Sequence, residues 1–145
     1  MTTSADIRRE LEALKNGNDM IHARDVLEWA RANPSSALYA HLQWNDTVAG
    51  ELYRLSQIRR LIEIHIVDPI GRRKYVSLSI DRSAGGGYTP VQRVLSHREL
   101  RRVMFNDALD DLDRLQRLYA HLGELSPVWQ AVDRIRSAPD TEAAD

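Results

Sequence analysis

A chain of 145 residues with 43% hydrophobic and 28% charged content has enough apolar material for one globular core, which excludes a disordered polymer. Twenty basic residues against 21 acidic ones leave a net charge of −1, so no function follows from overall basicity. The absence of cysteine excludes a disulfide scaffold, a thiol nucleophile and thiolate metal ligation.

The first helix is expected from about Ala5 to Lys15, with Ser4 as N-cap and Ile7, Leu11 and Leu14 on one face, stopped by Asn16-Gly17. A second fits Ala23 to Ala32, burying Val26, Leu27 and Ala30, and Pro34 ends it. Ser35 or Ser36 caps a short third helix through Leu38, Tyr39 and Leu42. Asn45 or Asp46 caps a fourth, reaching roughly Leu61, with Val48, Leu52, Leu55, Ile58 and Ile62 as its apolar stripe. The apolar period then changes from about 3.6 to 2. Ile62, Ile64 and Ile66 alternate on one side of Asp68-Pro69-Ile70-Gly71, and Val76, Leu78 and Ile80 on the other, which predicts a β-hairpin.

Three glycines at 85–87 make the following loop, 81–90, a flexible connector. Ser96 and Glu99 have the spacing of a capping box for a helix of about 25 residues that ends at Gly123. Ser126-Pro127 opens a last helix with Val128, Val132 and Ile135 inward. The reading is thus α+β, mostly α: a helical N-terminal cluster, one β-hairpin and a long C-terminal helix. It is a single domain over 1–136, with a disordered acidic tail at 137–145.

No Walker-type or dinucleotide glycine motif is present, and Gly85-Gly86-Gly87 lies outside any strand-to-helix unit. The five histidines are scattered without metal-ligand spacing. Asp107, Asp110 and Asp111, with Asp113 beside them, are the densest carboxylate group, and the first three share a helical face that can in principle hold a hard cation; Arg114, at i+4 from Asp110 and i+3 from Asp111, and Arg117, at i+4 from Asp113, make ion pairs the simpler role. No cofactor, metal or catalytic residue is assigned. No apolar run approaches the roughly 18–20 residues that span a bilayer, and the N-terminus lacks a signal-peptide core, so a cytoplasmic protein without membrane contact is expected.

Charge distribution is more informative than its total. Eighteen of the 20 basic residues are Arg, and residues 54–82 carry seven bases against three acids while both flanks are acidic. In that middle, Arg54, Gln57 and Arg60 lie on the fourth helix, and Arg72, Arg73 and Lys74 follow at the hairpin turn. Helices followed by a basic-tipped hairpin are the element order of a winged helix-turn-helix. Double-stranded DNA is therefore the first partner to consider, with groove contacts from the helix and phosphate contacts from the wing. The alternative is a structural or assembly protein acting through homo-oligomer, phage or host protein contacts, with Trp44 and Tyr53 as partner-binding aromatics.

The stretch Leu42-Gln43-Trp44-Asn45-Asp46, Ala49, Tyr53-Arg54-Leu55, Gln57, Arg59 and Leu61-Ile62 resembles a pattern shared by small uncharacterised bacteriophage and prophage proteins. Leu118-Tyr119-Ala120-His121-Leu122 and Glu124-Leu125-Ser126-Pro127-Val128 resemble the C-terminal part of that group. The resemblance implies a phage setting and carries over no activity and no functional residue.

Overall fold

Thr3, rather than Ser4, caps the first helix in the computed structural model, which describes residues 2–138. The Thr3 hydroxyl accepts from the Asp6 amide at 3.1 Å, and the Asp6 carboxylate accepts from the Thr3 amide at 3.0 Å. That reciprocal pair satisfies two donors at a helix start. Helix α1 then runs Ser4–Ala13. A tight reversal follows, closed by mutual hydrogen bonds between Asn16 and Met20, with Gly17 and Asp19 at φ of 41° and 61°.

Helix α2 spans Ala23–Ala32 and stops short of Pro34. Helix α3 spans Ala37–His41 behind the Ser36 hydroxyl, which accepts from the Tyr39 amide at 3.1 Å. Helix α4 spans Asp46–His65, and the Asn45 side chain accepts from the Val48 amide at 3.0 Å. Both predicted caps therefore work as caps.

The chain divides into two compact units, up to Gln57 and from Ile58 onward, and α4 runs from one into the other. The first unit has a small core of Ala30, Ala37 and Leu38. Leu27, expected inside, stays exposed. A contact distant in sequence holds this unit: the Glu10 carboxylate of α1 accepts from the Ala37 and Leu38 amides at 2.9 and 2.8 Å. It thereby caps α3 from outside that helix.

The second unit contains strands β1 (Tyr75–Val76) and β2 (Thr89–Pro90), paired antiparallel with Tyr75 opposite Pro90 and Val76 opposite Thr89. Between them lies α5 (Ser79–Ser83), and after them α6 (Val91–Ser96), α7 (Arg98–Tyr119) and α8 (Ser126–Ser137). Helix α7 is the central element, since α5, α6 and α8 all pack against it. Leu78 and Val94 are fully buried, and Leu109 and Val132 nearly so. Of the three α8 residues expected inside, only Val132 is; Val128 and Ile135 are exposed.

The class expected from the sequence is what the described residues have: helices, one two-stranded antiparallel pairing and a 22-residue helix near the C-terminus. Of the residues expected in strands, however, only Val76 lies in one, in β1. Ile62 and Ile64 belong to α4, because Ile58, Ile62 and Ile66 also repeat every four residues and a helix already started at Asn45 simply continues. Ile80 lies inside α5. The predicted turn at 68–71 is present, but only the isolated bridge Val67–Arg73 closes it.

The expected capping box at Ser96 is absent as well. The Ser96 hydroxyl bonds back to the Arg93 carbonyl at 2.9 Å, and the chain breaks at His97 into two helices. Gly85 and Gly86 supply a turn at φ of 100° and 84°, in which the Gly86 amide reaches the Asp81 carbonyl at 2.9 Å. Of the tail expected at 137–145, Ser137 ends α8, and residues 139–145 lie outside the described residues.

Candidate functional site

Asp68 organises the basic loop after α4. Its Oδ1 accepts from the Ile70 and Arg72 amides at 3.0 and 2.8 Å, and its Oδ2 accepts from Arg72 Nε at 2.8 Å. The Asp68 amide reaches the Arg72 carbonyl at 2.8 Å, and Gly71, at φ 87°, completes the turn. The Arg72 backbone bond, the Arg72 guanidinium and the Ile70 amide hold the Asp68 carboxyl below its ordinary range.

A depressed carboxyl pKa stabilises the loop above the unfolded value, about pH 4 for Asp. That contribution is lost as pH falls through the lowered value. In an acid titration followed by NMR, the Ile70 and Arg72 amide resonances are expected to move with the Asp68 carboxyl. Asp68→Asn should abolish that shared inflection, and amides that do not follow the carboxyl would contradict the arrangement.

Arg72, Arg73 and Lys74 line a groove of 860 Å³ together with the apolar side chains of Val76, Leu95 and Met104 among others. Two of the three cations are engaged: Arg72 with Asp68, and Arg73 with Glu63 at 3.5 Å. Between 58 and 106 the chain carries ten basic residues against four acidic ones, so this part of the second unit is cationic by sequence. Sequence reasoning identified these cations but missed the apolar lining, which comes from a strand and two later helices and has no local signature.

The remaining candidates lie along α4. Arg54, Gln57 and Arg60 are all exposed, as is Tyr53, and the Arg54 guanidinium folds back over Gly50. Trp44 has an internal role. Its ring stacks on Tyr39 with centroids 4.6 Å apart, and its indole N–H donates to the Tyr39 carbonyl at 2.7 Å. It thus ties the end of α3 to the start of α4. Of the two aromatics proposed for a partner, Tyr53 alone is presented outward.

Three carboxylates of α7 have partners within the fold. Asp107 accepts from the Ser79 amide at 2.8 Å and caps α5, Asp111 pairs with Arg114, and Asp113 pairs with Arg136 at 2.9 Å. Among the described residues, no group of three or more His, Cys, Asp or Glu side chains is placed to hold a metal ion. No helix among them is long and apolar enough to cross a membrane. Comparison with protein-family models, with curated proteins and with solved structures finds no match to this chain.

Proposed function

We propose that this chain is a non-enzymatic assembly protein that acts by self-association through α4. One observation carries the reading: no residue of α4 is buried, and Val48, Leu52, Leu55 and Ile58, which recur every three or four residues along one face, are 39, 54, 40 and 51% exposed. In proteins most of a helix's stability comes from packing its apolar face rather than from its length or propensity. Full burial of one Leu or Ile side chain contributes about 1.5–3 kcal/mol. A helix with apolar residues on most of its faces is normally covered. Self-association covers those positions, and closed symmetric pairing is the commonest form it takes.

The cationic loop supports DNA binding less well, because the Arg72 and Arg73 guanidinium groups already face carboxylates. Sedimentation equilibrium at micromolar concentration is expected to give a multiple of 16.6 kDa. The double substitution Leu52→Glu and Ile58→Glu should return the mass to that of one chain with helical circular dichroism retained, since neither side chain lies in a core. A wild-type monomer that binds duplex DNA with a steep salt dependence, lost on Arg72→Ala with Arg73→Ala, would overturn this reading in favour of the cationic surface.

A further inference from the structure

The basic loop and the apolar side chains beside it line one groove, and its charge balance says what it can hold. Arg72, Arg73, Lys74, Val76, Leu95 and Met104 all belong to the second unit. Arg72 pairs with Asp68 at 2.8 Å and Arg73 with Glu63 at 3.5 Å, whereas Lys74 makes no ion pair among the described residues. Two carboxylates thus answer three cations, and one positive charge is left over. That surplus suits a ligand with one negative charge. It is too small for a polyanion such as DNA.

Lys74 is also held in place. Its amide donates to the Ile66 carbonyl at 3.2 Å, and its carbonyl accepts from the Val91 amide at 2.8 Å. The backbone is therefore pinned between the end of α4 and the start of α6, directly before β1. A backbone fixed beforehand lowers the cost of ordering the site around a ligand. The apolar side chains have surface left to cover: Leu95 is 50% exposed, and Val76 and Met104 are half-buried. The volume of 860 Å³ falls within the roughly 300–1,000 Å³ of small-molecule sites.

We propose that the groove binds a small carboxylate with an apolar body, its headgroup on the Lys74 ammonium and its apolar part against Val76, Leu95 and Met104. This site does not depend on the pairing of α4. Decanoate and decyltrimethylammonium share an apolar chain and differ in the sign of the headgroup, so titrating the intact chain with each, below its micelle concentration, separates charge from greasiness. The Met104 methyl resonance reads the groove itself. Decanoate is expected to shift it to saturation, and the cation to bind at least about fivefold more weakly. Lys74→Gln should weaken decanoate binding about two- to fivefold, the range of one exposed ion pair. Leu95→Ser should weaken it about three- to tenfold, through the loss of a partly covered apolar side chain. Equal binding of the two headgroups, or no shift at Met104, would overturn the proposal. So would binding abolished by Leu52→Glu with Ile58→Glu yet unmoved by Lys74→Gln, which would place the ligand on α4. Tighter binding of an acidic peptide carrying one leucine would overturn it in favour of a protein partner.

Discussion

Replacing Leu78 with Ala is expected to lower the stability of the second unit by about 2–5 kcal/mol, the range for a fully buried leucine. Its side chain has no exposed surface and sits directly before α5. The same residue is held through its backbone: its amide donates to Asp81 Oδ2 at 3.1 Å, and its carbonyl accepts from the Arg82 amide at 3.0 Å. Asp81 Oδ2 also accepts from Thr89 Oγ1 at 3.0 Å, so one carboxylate fixes both the start of α5 and the strand that follows the glycine turn. A cavity at Leu78 has little room to collapse, because the chain on either side is pinned. The shape-conserving Leu78→Met should cost less than about 1.5 kcal/mol. Urea unfolding of the two variants checks this, with hydrogen exchange expected to show protection lost first over α5, α6 and α7. A loss below about 1 kcal/mol for the alanine variant would mean that Leu78 is not the buried anchor of this unit.

The contrast between what the sequence predicted and what the chain does follows the range of each interaction. Ser36 and Asn45 accept from amides three residues ahead, a geometry written in adjacent residues, and both were legible. Asp107 caps α5 across 28 residues and Glu10 caps α3 across 27, and neither leaves a local trace. The isoleucines at 62, 64 and 66 fit a strand by alternation and a helix by the 58–62–66 spacing. Only the helix preceding them decides between the two. Of the candidate surface, the cations and Tyr53 were visible as residue types. The exposure of α4 was not, because a stripe at helical spacing reads as a core-facing stripe whether its partner belongs to the same chain or to another.

Glu10→Ala is expected to destabilise the first unit by about 2–4 kcal/mol, since loss of the acceptor leaves two part-buried amides unpaired at about 1–3 kcal/mol each. Helix α3 has five residues and cannot nucleate on local bonds. Its first amides, from Ala37 and Leu38, belong to two of the three core residues of the unit. The Glu10 carboxylate therefore serves as an anchor between α1 and α3 and as an anion at the positive end of the short helix. Glu10→Gln keeps one acceptor oxygen but turns the other position into a donor facing an N–H, so it should recover less than half of the loss. Glu10→Asp keeps the charge on a stem one carbon shorter and should recover part of it only if α1 shifts. The Trp44–Tyr39 stack gives an independent readout, because Tyr39 lies in α3 and Trp44 follows it. Tryptophan fluorescence of the alanine variant should report a ring released to water before global unfolding. Fluorescence and urea midpoints that stay at wild-type values would show that α3 stands without its distant cap.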